Sequence, residues 1–299
     1  MERRLEIPKL SIIITARREK QTIRRAIEAF LSQMMSLKYE LLVVSPDQGT
    51  LKMARQYGKD SHVKAVEDAD RGKPSALNQA FKLARGVIVI LSDGDVFIEQ
   101  NAIGELLELL KDEKVGIVSG RPVSLNSKNT ILGYWSHLLT DVADKIRKER
   151  ADRGKFIDCS GYLLALRRKL VDRVPPRALA EDALISQLVW QRGFLTAYAP
   201  EAKVFVKYPT HYRDWLRQKI RSAGGTQQVF WKDVPKMRSF NQEVRNIWRV
   251  FSYPKTAKEF FWTILLLLAR IDLWLRILLR VKIQKESRRK LWVRVESTK

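Results

Sequence analysis

From Leu10 to Ser119 the hydrophobic period of this chain flips repeatedly between two residues and about 3.6. Apolar, β-favouring runs at residues 10–15, 40–45, 63–66, 87–91 and 115–119 alternate with helical stripes at 20–35, 51–57, 75–84 and 102–110. Ile23, Ala26, Ile27, Phe30 and Leu31 mark the first stripe, and Ala76, Leu77, Ala80, Phe81 and Ala84 the third. Strands that alternate with helices over short connections build an α/β fold. The pattern predicts a mostly parallel, doubly wound, Rossmann-like sheet with helices on both faces.

The run Val87-Ile88-Val89-Ile90-Leu91 stands between a glycine and Ser92-Asp93-Gly94-Asp95, and reads as a fully buried parallel strand. Two carboxylates two residues apart leave the sheet where that strand ends. This is where an α/β sheet offers side chains to a ligand in its crevice. Hard oxygen ligands there suit Mg²⁺ or Mn²⁺, which in turn hold a diphosphate. A lone Asp-x-Asp also reads as a solvated turn after a strand. The residues around it decide between the two.

After Gly120-Arg121-Pro122 the rhythm breaks. Residues 130–150 read as a helix, Gly161 opens a return to strand, 183–191 is helical, and 196–206 reads as a strand pair around Pro200. From His211 onward the chain is helical, basic and rich in tryptophan. At 299 residues there is enough chain for one large domain or a domain with an appendage.

Charge is lopsided. The 56 Lys and Arg against 33 Asp and Glu give a formal net charge of +23. Residues 201–299 hold 23 of the bases and 8 of the acids, a net +15, leaving +8 for the first two hundred. An anionic surface is therefore expected to meet the C-terminal third. Charge alone would permit nucleic acid. Here the bases interleave with a long apolar face that nucleic acid does not require, so a membrane surface is the expected partner and nucleic acid is not.

Residues 260–281 carry that apolar face, interrupted by Arg270, Asp272, Arg276 and Arg280. At about 100° per residue these four, with Lys258 and Glu259, fall within an arc of roughly 160°. A mid-helix Arg and Asp are costly in a spanning helix, so the segment reads as a basic amphipathic helix lying in the headgroup region, with a single span held in reserve. Lys285 and Arg288-Arg289-Lys290 would add an electrostatic hold on anionic lipid. The other reading is a helix whose apolar face packs on the protein. One cysteine, Cys159, excludes an intrachain disulfide and a cysteine-based zinc site, and His62, His137 and His211 are scattered. No signal peptide is read at Met1-Glu2-Arg3-Arg4, and a cytoplasmic catalytic face is expected.

The string from Asp70-Arg71-Gly72-Lys73 through Ala84-Arg85-Gly86 to Asp93-Gly94-Asp95 resembles family 2 glycosyltransferases of the GT-A fold, the large inverting group that uses nucleotide-activated sugars. Gly-Lys, a helix with Ala and Asn, an Ala-Arg-Gly turn, a strand and Asp-x-Asp follow in order and at spacing. The resemblance covers roughly residues 8 to 225. It implies a catalytic domain over 1–225, with a nucleotide-sugar half at 1–120 and an acceptor half at 121–225. Residues 226–299 would form a helical, basic, membrane-associating region.

Residues 11–19 are similar to the family's opening strand and nucleotide loop, with Thr15 and Arg18 where proline and asparagine are usual. The resemblance places Ala16, Arg17, Glu19 and Asp47 at the donor base, Arg71 and Lys73 at the base or phosphates, and Arg221 over the diphosphate. Asp95 becomes the expected metal ligand, and Asp93 a ligand of the ribose or of the metal's water shell. Glu181-Asp182 is similar to the family's Glu-Asp pair, whose aspartate serves as general base for the acceptor hydroxyl. On the residues alone, Asp182 is equally a first-turn helix acid. Gly161 and Gln218 are assigned to the acceptor side. Gln218-Lys219-Ile220-Arg221 resembles Gln-x-x-Arg-Trp, with Ser222 in place of tryptophan.

The function so implied is transfer of a sugar from a nucleoside-diphosphate sugar, with Mn²⁺ or Mg²⁺, to a hydroxyl of a lipid-linked or glycan acceptor at a membrane surface. A polyprenyl-phosphate sugar synthase is the enzyme alternative. Against it stand the Glu-Asp pair, which suits a hydroxyl acceptor, and Phe97, which occupies the place of a further polar metal ligand. A basic binding protein without catalysis is the alternative of a different class.

Overall fold

A computed structural model of the chain describes residues 9–33, 37–58, 62–225, 237, 239–284, 286, 291, 295, 297 and 298. Met34 and Met35 of the first predicted helix, and Lys285 and Arg288 to Lys290 of the basic tail, lie outside the described residues.

Eight strands form one sheet: β1 (Leu10–Thr15), β2 (Tyr39–Ser45), β3 (Val63–Glu67), β4 (Ile88–Asp93), β5 (Phe97–Ile98), β6 (Val115–Ser124), β7 (Leu163–Arg167) and β8 (Leu195–Val206). Their order across the sheet is β3-β2-β1-β4-β7-β6-β8-β5. The first four run parallel, as the alternation predicts. The sheet as a whole is mixed, because β7 is inserted antiparallel between β4 and β6. Parallel pairing returns between β6 and β8, and β5 pairs antiparallel with β8.

Helices α1 (Ile23–Leu31), α2 (Gln48–Arg55), α3 (Lys73–Leu83), α4 (Ala102–Leu109), α5 (Ile131–Asp152) and α6 (Glu181–Gln191) connect the strands. Alternation along β1 sets the layers. Leu10, Ile12 and Ile14 pack under α1 and α4 through Ile27, Phe30, Ile103 and Leu106. Ile13 faces the other way, toward Ala76, Leu77, Ala80 and Phe81 of α3 and Leu184, Ile185 and Val189 of α6. Both faces are thus covered by helices, which is what lets the central strands be apolar throughout.

Three expectations change. The predicted strand at 87–91 is not buried from end to end: Val87 is 65% exposed and precedes β4, which instead runs on to Asp93. Strand character does not stop at Gly120. Beyond Ser119, β6 pairs only with β8, so Pro122 sits where the strand has one open side, the setting in which a sheet tolerates proline. The expected strand pair around Pro200 is one strand, with Ala199–Ala202 looped out between the partners of Ser119 and Arg121.

Where α3 hands over to β4, Gly86 lies so close to β1 that a Cβ there would stand 2.4 Å from the Ser11 nitrogen. Its N–H donates to Ser11 Oγ (2.8 Å), and that hydroxyl donates to Glu40 Oε1 (2.8 Å). Glu40 also accepts the Arg85 N–H (2.7 Å) and meets the Arg85 guanidinium at 3.3 Å. The Ala84-Arg85-Gly86 turn therefore locks the entry of β4 to β1 and β2.

The C-terminal part adds α7 (Tyr212–Gly225), α8 (Phe240–Arg245), α9 (Trp248–Phe251) and α10 (Ala257–Ile277), which ends in a π-helical turn at Leu278–Ile283. Thr256 caps α10 by accepting the Glu259 N–H (3.2 Å). Trp262, Leu266, Ala269, Leu273 and Ile277 bury one stripe against Tyr134, Trp135 and Leu138 of α5 and Trp215, Leu216 and Ile220 of α7. Each large apolar side chain buried there contributes about 1.5–3 kcal/mol.

That stripe spans about 80° of the helix circumference. The charged arc read from the sequence overlaps it. Arg270 pairs with Glu243 of α8, and Arg276 with Asp272 at 2.9 Å. Opposite, Phe260, Phe261, Leu268, Ile271, Leu275 and Leu279 are exposed and share an arc of about 100°. Of the two readings of the segment, packing on the protein accounts for one face and leaves a second apolar face uncovered. Among the described residues, no helix is long and apolar enough to cross a membrane, which removes the span held in reserve.

Candidate active site

Because β1 and β4 are parallel and in register, Thr15 lies opposite Asp93 where both strands end. Thr15 Oγ1 donates to Asp93 Oδ1 across 3.2 Å. Two further helices aim their N-termini at this point. Gly72 precedes α3 with φ +91°, a left-handed turn that costs glycine little, and Lys73 is the first residue of the helix. Glu181 and Asp182 open α6. Helix N-termini with unpaired N–H groups favour anions.

Lys73 joins these elements. Its ammonium is 2.6 Å from Asp93 Oδ1 and 3.0 Å from Glu181 Oε1, with the side chain 20% exposed. Burial disfavours the charge, but Asp93, then Glu181, hold the amine protonated well above its ordinary range. Asp182 is oriented from the other side. Its Oδ2 accepts the Gly161 N–H (3.0 Å), its Oδ1 accepts the Ala183 N–H (2.9 Å), and its backbone carbonyl accepts the Ser186 hydroxyl (2.8 Å).

Burial and the neighbouring Asp93 charge raise the Asp95 carboxyl to about 6, against the pull of Lys73 and Arg221. Two half-buried carboxylates that repel one another in this way fit a divalent cation, whose charge would relieve both. Among the described residues no cluster of three or more His, Cys, Asp or Glu could hold a metal, so the protein would offer two carboxylates. Donor oxygens and water would complete the shell, as is usual for Mg²⁺.

Nearly all the expected residues line one cavity of about 960 Å³: Ala16, Arg17, Glu19, Lys73, Asp93 and Asp95 on the donor side, with Gly161, Glu181, Asp182, Gln218 and Arg221 across from them. This is at the upper end of the roughly 300–1,000 Å³ of a single small-molecule site. Arg17 reaches Asp70 at 3.0 Å, and Gln218 Nε2 donates to the Tyr162 hydroxyl at 3.4 Å.

Two expected residues, Asp47 at the donor base and Arg71 at the base or phosphates, lie outside that lining. Asp47 caps α2, accepting the Thr50 N–H (2.8 Å), the Ser45 hydroxyl (2.9 Å) and the Arg18 N–H (2.5 Å). Burial raises its pKa, yet these donors outweigh burial and leave the carboxyl below its ordinary value. Its part in the loop is to fix Arg18, which holds a left-handed φ of 57°.

Asp68 and Asp70, at the end of β3, do line the cavity and were not singled out from the sequence. The signal was present: Asp68-Ala69-Asp70 repeats the spacing of Asp93-Gly94-Asp95. Burial holds the Asp68 carboxyl above its ordinary value, against the pull of the Asp70 N–H that it accepts (2.7 Å). Tyr162, half-buried near Asp95 and Asp93, was missed because it reads as one more strand residue. His137 bonds the Asn126 carbonyl at 2.7 Å, a packing role. Cys159 is fully buried, its thiol pushed up to about 12, and Phe97 lies under the Arg25 guanidinium.

Comparison with known proteins bears on the fold and the family. The chain is 28% identical over 278 residues to the probable glycosyltransferase YdaM of Bacillus subtilis, covering 87% of this chain and 65% of that protein. It is 25% identical over 239 residues to the poly-beta-1,6-N-acetyl-D-glucosamine synthase of Staphylococcus aureus, covering 76% and 57%. The chain thus spans less than two thirds of the length of either relative. Among solved structures, the mannosyltransferase PcManGT from Pyrobaculum calidifontis, in complex with GDP-Man and Mn²⁺, superposes with a TM-score of 0.67 at 18% identity, over 93% of this chain and 88% of that one. That likeness shows the fold, a GT-A type mixed sheet flanked by helices. Residues 8–225 match the family described as glycosyltransferase like family 2, and the chain belongs to it.

Proposed function

We propose that this protein is an inverting glycosyltransferase that moves a sugar from a nucleoside-diphosphate sugar to a hydroxyl of a lipid-linked or glycan acceptor. The observation that carries this reading is Lys73, which ties Asp93 beside Asp95 to Glu181 beside Asp182 within one cavity. Donor-side and acceptor-side carboxylates are thereby held together across the place where a sugar would change hands.

In the proposed reaction the acceptor oxygen attacks the anomeric carbon of the sugar as the bond from that carbon to the diphosphate breaks. Asp182, held by the Gly161 and Ala183 N–H groups, takes the proton of the attacking hydroxyl. Lys73 and Arg221 meet the negative charge that grows on the departing diphosphate. A divalent ion at Asp93 and Asp95 would add a further positive charge there. Residues 1–225 form the catalytic domain in this reading, and 226–299 the membrane-associating region. The exposed apolar arc of α10 and the +15 charge of residues 201–299 support attachment to the cytoplasmic face of an anionic membrane.

The test is release of nucleoside diphosphate from UDP-, GDP- and dTDP-sugars by purified protein with membrane lipid extract, with Mn²⁺ or Mg²⁺ and then with EDTA. Release from one donor, lost on chelation, is expected. Asp95→Asn should abolish release with the fold intact, and Asp182→Asn should abolish transfer while donor still binds. Full transfer by Asp182→Asn would remove it as the base.

A further inference from the structure

The cavity extends well beyond the carboxylates. From Asp95 and Asp182 it continues along the second half of α5 to α8, α9 and α10. This second lobe has two kinds of wall. Leu139, Val142 and Ile146 of α5 and Val250, Leu266 and Leu267 of the later helices are apolar. Arg150, Arg153, Lys155 and Arg245 are cationic.

Other cations of the lobe are already neutralised. Arg249 is bonded to both oxygens of Glu149 (2.6 and 2.7 Å), and Arg270 is paired with Glu243. Among the described residues, Arg150, Arg153, Lys155 and Arg245 have no carboxylate within salt-bridge distance, and Arg153 acts on Glu149 only at longer range. Arg150 is held by one bond from Nε to the Phe156 carbonyl (2.7 Å), which leaves its terminal nitrogens unengaged by that bond.

The mouth of the lobe is apolar and faces outward. Val244, Ile247 and Ile271 both line the cavity and stand half-exposed on the molecular surface. They adjoin the uncovered arc of α10 that carries Phe260, Leu268 and Leu275. A water-soluble saccharide gains nothing from such an entrance. A hydrocarbon chain does, at about 0.8 kcal/mol per buried methylene.

The length of chain also bounds how far the cations stand from the carboxylate. Lys155 and Gly161 are six residues apart, so the basic cluster lies at most about 22 Å from the N–H that orients Asp182. From a phosphate bound at the cluster, a headgroup no longer than that would reach the carboxylate.

We propose that the second lobe is an acceptor subsite for a lipid phosphate or diphosphate, with Arg153 and Lys155 on the phosphate and the apolar mouth on the first part of the hydrocarbon chain. This narrows the acceptor of the transfer reading to the lipid-linked class. The acceptor reaches the site laterally from the bilayer, and its anionic headgroup is what the unpaired cations select.

The test is calorimetric binding of farnesyl diphosphate, below its aggregation concentration, to the full chain in EDTA with no sugar donor. Inorganic diphosphate is the comparison ligand. Farnesyl diphosphate should bind, and inorganic diphosphate should bind at least about tenfold more weakly. Arg153→Gln/Lys155→Gln, at exposed positions that leave the fold intact, should weaken farnesyl diphosphate at least about tenfold. Equal affinity for the two ligands would overturn the lipid subsite. So would unchanged affinity in the double variant, because the probe would then be held elsewhere. The measurement involves no turnover. Failure of the transferase reading would show instead as no nucleoside diphosphate released from any donor.

Discussion

Gly161 and Asp182 touch through the backbone: the glycine N–H donates to Asp182 Oδ2 across 3.0 Å. The contact leaves no spare room, since a Cβ on Gly161 would lie 3.2 Å from both Cβ and Oδ2 of the aspartate. Gly161→Ala should push the carboxylate by a few tenths of an ångström and lower kcat about tenfold, because positioning errors of this kind are costly in rate. Donor affinity should not change. Steady-state kinetics beside equilibrium donor binding checks both halves, and a variant with wild-type kcat would show that the carboxylate has slack.

Removing the Lys73 ammonium leaves two carboxylates, Asp93 and Glu181, facing one another without the cation that now sits 2.6 and 3.0 Å from them. Lys73→Gln should therefore lower stability by about 1–3 kcal/mol. It should also weaken donor binding, since the diphosphate loses a positive partner. Urea unfolding and calorimetric donor titration measure the two effects. Unaltered donor affinity would limit the lysine to a structural part.

Glu40 gives a pH-dependent stability remote from the site. Burial pushes its carboxyl up, but the Arg85 N–H, the Ser11 hydroxyl and the charges of Arg85 and Lys64 outweigh burial and hold it below its ordinary value. A depressed folded pKa means that stabilisation is complete above the unfolded value of about 4.3 and fades as pH falls through the lower folded value. Glu40→Gln should be less stable than wild type by about 1–3 kcal/mol at about pH 7, with the difference narrowing by about pH 3. Denaturant curves at the two pH values decide. A constant difference would mean that shape rather than charge is at stake.

On α10, Phe261 and Leu268 are each 59% exposed, whereas Leu273 is fully buried. Phe261→Asp/Leu268→Asp should abolish co-sedimentation with anionic vesicles while each change moves stability by no more than about 0.5 kcal/mol. Leu273→Ala should cost about 2–5 kcal/mol with vesicle binding retained in the folded fraction. Vesicle binding that survives the double aspartate variant would refer attachment to another surface.

The parallel half of the sheet was legible because each strand there is apolar and bounded by turn residues, so the residues 10–15 read as strand are those of β1. The antiparallel insertion of β7 was not, since direction leaves no mark in a five-residue apolar run. Prolines misled twice. Pro122 ended a strand on paper, yet it sits where β6 has a neighbour on one side only, and Pro200 sits in a bulge. In the site, Asp93, Asp95, Lys73, Glu181 and Asp182 were expected from the family resemblance, and they line one cavity. Asp47 has the same residue type in a similar place, and only its three donors reveal that its oxygens are already engaged. Asp68 and Asp70 needed the fold to bring the edge strand β3, beyond β2, within reach of Arg17 after β1.

Neither α8 nor α9 buries a single residue; Glu243 on Arg270 and Trp274, Arg249 on Glu149 and the partly buried Val250 hold them to the body. Such a segment can open with little exposure of apolar surface, so its opening free energy is set by ion pairing and falls as salt rises. Amide exchange should therefore be fastest and most salt-sensitive in residues 240–251, while the strands around Asp93 exchange only with global unfolding. The protein thus has a portion whose state is tuned by its ionic surroundings, and an anionic surface beside it would be the strongest such influence it meets.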